Sequence, residues 1–334
     1  MRQVRHAADD RGSANHARLV GAAGVLRARA PRSGLGEGAG EGGGVGHRMA
    51  TRDGHEWMQE HLVEDDGFPA GEQWDMHTAD KLLILARYFP AFGQACRSAG
   101  AWYFVDAFAG HGHCDFGEIR TRGSTLLALE ADPQFDKVIS IEAGHEAAEA
   151  LRHRTSGYGS RSLVVEGDCN VEIMPSIRQH VPREAPLVVL FDQTGVQLHW
   201  ETVERVSAFR IGRYKTELLI FVNTPYLVRA ANWPTHRSAQ DASFPPGIPW
   251  RERVATLSDP QAKREAVASA YGEGLKHLLG YDTVFSRSVG PIEEDAGGRD
   301  RYHLVFATDN EAGEQIMANC FAKGYLGGLQ KKLF

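Results

Sequence analysis

Residues 103 to 112 read YFVDAFAGHG, and their order decides the fold. An aromatic and aliphatic run stops at an acid, Asp106, and then breaks at two closely spaced glycines, Gly110 and Gly112. Such a run is the pattern of a parallel strand buried on both faces of a covered sheet. In doubly wound folds, ligands bind just outside the carboxyl ends of those strands, so the stretch implies a nucleotide-like ligand. A dinucleotide fingerprint needs a third glycine, G-x-G-x-x-G, and that position here is Asp115. Without it a helix cannot pack as closely over a pyrophosphate, which weakens the case for NAD.

Working outward, seven strand candidates follow one another: WYFVDAF, KVISIEA, SLVVEGD, PLVVLFD, ELLIFVN, DTVFSRSV and YHLVFAT. Helical patterns lie between them at 145–154, 171–180 and 200–209. Strand-and-helix alternation with right-handed crossovers specifies an α/β fold, a doubly wound parallel sheet. The last two strands are joined by too short a stretch for a crossover helix, so they should form an antiparallel hairpin. The expectation is a seven-stranded Rossmann-like sheet with strands six and seven antiparallel. Before the sheet, residues 74–96 carry Leu82, Leu83, Leu85, Phe89 and Phe92 near helical spacing, with Thr78 or Asp80 available as a cap.

The expected organisation is a tail over 1–48, a leading helical segment over 49–101, and a core over 102–230. A helical or proline-rich insertion or lid then spans 231–280, followed by a closing hairpin and C-terminal helix over 281–334. The tail is rich in Gly, Ala and Arg without apolar period, the composition of a segment that does not order alone. Met49 follows it as an expected start of the working protein; an Arg-rich transit peptide is the rival reading. The tail holds eight arginines against four acids, so with a chain total of −6 the remainder carries −10. That body argues against loose nucleic-acid binding, leaving RIGRYK (210–215) with Arg229 as either a phosphate-binding patch or a solvated face. Four scattered cysteines form no C-x-x-C pair, which points to a reducing cytoplasm. No run reaches eighteen apolar residues, so no membrane span is expected.

The strand ends carry the candidate chemistry. The loop Phe108-Ala109-Gly110 with Gly112 has small residues at Ala109, Gly110 and Gly112 that let backbone approach the amino-acid end of S-adenosyl-L-methionine (SAM), with Asp106 near its ammonium group. Another nucleotide, or a glycine turn without a ligand, are the alternatives. Glu142 offers acceptors to two ribose hydroxyls, or is a solvated strand-end acid. Asp168 is placed to accept from an adenine amine with Cys169 beside the ring, or to cap the next helix. Asp192, with Gln193 and Thr194, ends the fourth strand where an acceptor would be held; it is a base, a positioner or a structural cap. Asn223 opens NTPY, similar to the N-P-P-Y signature of amino-methyltransferases, or is a plain strand-ending turn. The loop HGHCD (111–115) is too local for a tetrahedral site, so no metal is expected.

Taken together, YFVDAFAGHG, Gly117, the Gly123–Ser124 pair before ALE, Glu142, Gly167–Asp168, LFDQTG, ELLIFVN with Arg229, and YHLVFAT through Gly313, Ile316 and Met317 resemble the three-Cys-motif partner family. The resemblance spans about residues 74–320 and implies a class I SAM-methyltransferase-like fold. It also implies a partner, a cysteine-motif protein resembling radical-SAM enzymes. Where that family usually carries aspartate, proline, an aromatic and glycine, this chain has Asp192, Gln193, Thr194 and Gly195. Thr125 stands where a proline often follows the Gly–Ser pair. Two functions follow as expectations: a SAM-dependent methyltransferase of unknown acceptor, or a methyltransferase-like binding module that no longer transfers methyl groups.

Overall fold

The computed structural model describes residues 57–71, 73–74, 76–117, 119–289, 302–322 and 330–332. The expected tail over 1–48, Met49 and the tip of the closing hairpin lie outside the described residues. The chain order begins with α1 (Met76–Cys96), β1 (Tyr103–Asp106), a short ribbon of β2 (His113–Asp115) and β3 (Arg120–Arg122), and α2 (Ser124–Glu130). It continues with β4 (Lys137–Glu142), α3 (His145–Thr155), β5 (Ser162–Glu166), α4 (Cys169–His180), β6 (Leu187–Phe191), α5 (Trp200–Ser207) and β7 (Glu217–Val222). Next comes α6 (Thr224–Ala230), and the 231–280 insertion holds α7 (Arg237–Ser243), α8 (Trp250–Thr256) and α9 (Pro260–His277). The chain then runs through β8 (Thr283–Val289), β9 (Tyr302–Thr308), α10 (Glu311–Ala322) and β10 (Gln330–Lys332).

The sheet order is β10-β8-β9-β7-β6-β1-β4-β5. Strands β1, β4, β5, β6 and β7 run parallel, and β9 lies antiparallel between β7 and β8. All seven expected strands are present in the expected sense. An eighth, β10, pairs antiparallel with β8 at the edge and was not expected. Chain reversal between β1 and β4 on one side and β6 on the other makes β1 the switch point, where an open sheet leaves a crevice.

Alternation along each strand divides the core in two. Phe104, Val138, Val188, Leu190, Leu219 and Phe306 pack with α1, α2 and α10. Val105, Ile139, Val189, Leu218, Ile220 and Val305 pack with α4, α5, α6 and α9. A register slip of one residue would exchange the two sets and force side chains shaped for one helix layer against the other.

The leading helix departs from expectation at its start. It begins at Met76, before both expected caps. Residues 78 to 85 are all buried, because α1 is enclosed on every side rather than lying on a surface. Thr78 and Asp80 therefore sit inside the helix: Thr78 faces a cavity, and Asp80 pairs with Arg287 on β8 at 3.3 Å. Among the described residues, no helix is long and apolar enough to cross a membrane.

Candidate functional site

The carboxyl ends of β1, β4, β5 and β6 open into a cavity of about 860 Å³. That volume lies within the roughly 300–1,000 Å³ usual for small-molecule sites. Phe108, Ala109, Gly110, Gly112, Glu142, Asp168, Cys169, Asp192 and Thr194 line it, so nine of the twelve residues singled out from the sequence meet in one place. Asp106, Gln193 and Asn223 lie behind the wall.

The glycine loop is stitched to both neighbouring strands, Ala107 N–H donating to Leu190 O (2.9 Å) and Ala109 N–H to Ile141 O (3.0 Å). Gly112 has φ +84°, and a Cβ there would stand 2.7 Å from Leu151 Cδ1, so only glycine fits. Beneath the loop, Asp106 is fully buried and accepts from Ser124 Oγ (2.6 Å) and Thr125 Oγ1 (3.1 Å). Burial raises its carboxyl to about 6, with Asp192 adding to the rise and the two hydroxyls and Lys81 opposing it. The acid thus supports α2 and the loop from below, and Ser124 is the member of this group that reaches the cavity.

Glu142 takes backbone N–H groups on both oxygens, Gly110 on Oε2 (2.8 Å) and Gly144 on Oε1 (2.7 Å). Each carboxylate oxygen has a second lone pair for a ligand. Asp168 caps α4: Oδ1 accepts from Asn170 N (2.9 Å) and Asn170 Nδ2 (2.9 Å). Its expected cap role is therefore present, on a residue that still faces the cavity. Cys169 is buried beside it, and burial pushes its thiol up to about 12.

Asp192 is paired with a residue the sequence reading passed over. Lys81, from α1, donates to Asp192 Oδ2, and the two side chains are 7% and 15% exposed. Burial disfavours the Lys81 charge, yet the neighbouring Asp192 outweighs it, with Asp106 adding to the effect, and the ammonium is held above its ordinary value. The signal was in the sequence: an acid and a base, Asp80 and Lys81, stand next to LLIL, where a solvated charged face would be polar at further positions. Trp74 and Phe221 present their rings 5.9 and 5.4 Å from Lys81 Nζ. Cys114 lies close by, and burial raises its thiol to about 12, so it is no nucleophile near neutral pH.

Gln193 turns inward and accepts from Leu198 N (2.9 Å). Asn223 spends its amide on structure, Oδ1 accepting from Tyr226 N (3.0 Å) to cap α6 and Nδ2 donating to Thr194 O (2.6 Å). NTPY is thus a helix start that braces the 192–195 loop.

A strap over 57–71 and 73–74 closes the opposite side, contributing Ala70, Gly71 and Trp74 to the cavity wall. Arg154 on α3 clamps it: the guanidinium donates to both Asp66 oxygens, to Phe68 O, to Pro69 O and to His111 O of the glycine loop. His113, on β2, also lines the cavity; burial and the Arg154 charge lower it to about 4, so it is neutral at pH 7. Among the described residues, no group of three His, Cys, Asp or Glu side chains is placed to hold a metal ion.

No protein-family model and no curated protein sequence matches the chain. Solved structures similar to it include the O-methyltransferase TomG from Streptomyces achromogenes in complex with SAM, at 12% identity and TM-score 0.38 over 79% of this chain and 98% of that one. Trm1 from Pyrococcus horikoshii with S-adenosyl-L-methionine is similar at 11% identity and TM-score 0.40, over 77% and 61%. TYW2 from M. jannaschii in complex with AdoMet is similar at 10% identity and TM-score 0.37, over 74% and 84%. The chain's own strand order, with β9 antiparallel between β7 and β8, is the seven-stranded Rossmann-like plan of class I methyltransferases carrying one extra edge strand.

Proposed function

We propose that this protein binds SAM in the cavity at the sheet's switch point and is a SAM-dependent methyltransferase. The observation that carries the reading is the convergence there of a glycine loop, a two-oxygen acceptor at the end of β4, and a capping acid at the start of α4. The residues fit the cofactor by their chemistry. Gly110, at φ +60°, lines the cavity with nothing within 4 Å of where a Cβ would stand, Glu142 suits a pair of ribose hydroxyls, and Asp168 with Cys169 suits an adenine edge and face. Phe108 to Gly110 receive the amino-acid end. Bound SAM supplies an electrophilic methyl on sulfur; the chain's task is to orient the acceptor and exclude water. Asp192 and Thr194 face that acceptor, with Gln193 and Asn223 fixing the loop behind them.

Isothermal titration of the full chain with SAM and with S-adenosylhomocysteine tests the assignment. Both should bind in the micromolar range, and Glu142→Ala should weaken each by about tenfold or more, because a good charged hydrogen-bond acceptor is worth roughly 1.5–3 kcal/mol. Absence of binding to either, or tight binding of NADH instead, would overturn it. The three-Cys-motif resemblance adds a cysteine-motif partner in the cytoplasm to this proposal. A non-catalytic docking role is distinguished by SAM binding without methylated product, accompanied by co-purification of a cysteine-cluster protein.

A further inference from the structure

We infer that the end of the cavity between Trp74, Lys81 and Asp192 receives an acceptor bearing an amine nitrogen, whose N–H donates to the Asp192 carboxylate. The inference rests on the SAM reading and adds the class of acceptor to it.

The first support is the division of labour within the carboxylate. Lys81 occupies Asp192 Oδ2 and fixes the side chain from behind, which leaves Oδ1 to accept from a donor in the cavity. Lys81 is itself enclosed by α1 and by the rings of Trp74 and Phe221, and its charge is matched by Asp192. It is therefore not a spare cation for an anionic substrate. An N–H donor fits a carboxylate oxygen held in place in this way.

The second support is the charge of the walls. Among the described residues, the carboxylates of Glu142, Asp168 and Asp192 line the cavity against the single ammonium of Lys81. A carboxylate or phosphate acceptor would be repelled by that field. A neutral amine becomes positive as its bond to carbon forms, and an electronegative site stabilises the charge as it develops. The nitrogen lone pair forms the N–CH3 bond, the C–S electron pair stays on sulfur, and the positive charge passes from sulfur to nitrogen. The surplus proton then leaves to water. It does not rest on Asp192, since neutralising that carboxylate would strand the enclosed Lys81 ammonium. Lys81 is thus a positioning residue, and Asp192 the group that touches the acceptor. NTPY no longer bears on this, because the Asn223 amide is committed to the start of α6 and to Thr194 O.

The test uses sinefungin, a SAM analogue with a primary amine in place of the S–CH3 group, so that an N–H donor stands where the methyl would. Titration calorimetry on the full chain should show sinefungin binding at least about tenfold tighter than S-adenosylhomocysteine. Asp192→Asn should erase that preference while S-adenosylhomocysteine still binds. The double variant Lys81→Met/Asp192→Asn strands no charge and should behave in the same way, which guards against a folding defect in the single variant. Equal affinities in the unmodified protein would overturn the inference while leaving the cofactor reading intact. So would a preference that survives both variants, or a folded double variant, by circular dichroism, that has lost S-adenosylhomocysteine. Failure of all these ligands to bind the unmodified protein would instead remove the cofactor reading beneath it.

Discussion

Asp106 is held in a place that disfavours its charge. The carboxylate is fully buried, two hydroxyls donate to it, and burial raises its pKa from the ordinary 3.8 to about 6. A carboxyl raised on folding contributes its full stability below the unfolded value, near 3.8, and loses it as pH climbs through about 6. A rise of that size corresponds to about 3 kcal/mol, an upper bound on the cost of keeping Asp106 ionised at about pH 8. Asp106→Asn should therefore match the unmodified protein in urea unfolding near pH 4 and exceed it near pH 8, by up to about 3 kcal/mol. A variant that is equally stable or weaker at the higher pH would show that the hydroxyl pair fully compensates the burial. The same substitution should weaken SAM, because it removes a negative charge beneath a loop proposed to hold a cationic cofactor. A residue that lowers stability where it raises affinity is the usual trade at functional sites.

Arg154 acts at the level of the element, tying the strap to the glycine loop. Its side chain is 2% exposed and makes five hydrogen bonds, two to Asp66, two to strap carbonyls and one to His111 O. Arg154→Ala should cost about 3 kcal/mol, the loss expected when one partner of a largely buried pair is removed. Hydrogen exchange over 61–74 should quicken more than over the strands; uniform quickening would mean the clamp is global rather than local. Acid should loosen the same contact. The Arg154 guanidinium holds the Asp66 carboxyl well below its usual range, so its stabilisation is present above about 3.8 and is lost as pH falls below it. None of this was legible in the sequence, because residues 57–74 have neither period, and their anchor lies 88 residues away in chain order. The ribbon of β2 and β3 escaped for a related reason, since three residues carry no alternation. The parallel strands were legible because LVVLF and ELLIFV are too apolar and too short for anything but a covered sheet. At the cavity, strand ends told where a ligand sits. They could not reveal Lys81, which reaches the site from a helix before the sheet begins.

At the scale of the whole molecule, α1 fastens the two ends of the described fold together while also supplying the site. Tyr88 on α1 donates to Glu217 on β7, which also accepts from Thr308 on β9 at 2.9 Å. Two turns earlier, Asp80 pairs with Arg287 of β8 across 207 positions of chain, both side chains at most 1% exposed. Successive residues of a helix point about 100° apart, so Asp80 turns to the closing hairpin and Lys81 to the cavity from one segment of backbone. A buried pair contributes little net stability but is costly to break on one side, because the remaining charge has no solvent. Asp80→Ala should therefore destabilise the chain by about 3–5 kcal/mol, measured by urea unfolding. The double variant Asp80→Leu/Arg287→Met should recover most of that loss, as two apolar side chains replace two charges. Equal destabilisation in single and double variants would mean that the pair is needed for packing shape rather than for charge balance. The double variant also separates the two duties of α1. If the hairpin contact and the cavity are independent, the double variant should keep the unmodified chain's preference for sinefungin over S-adenosylhomocysteine, since Lys81 and Asp192 are untouched. A loss of that preference with S-adenosylhomocysteine still bound would show that β8 sets the position of Lys81 through the helix.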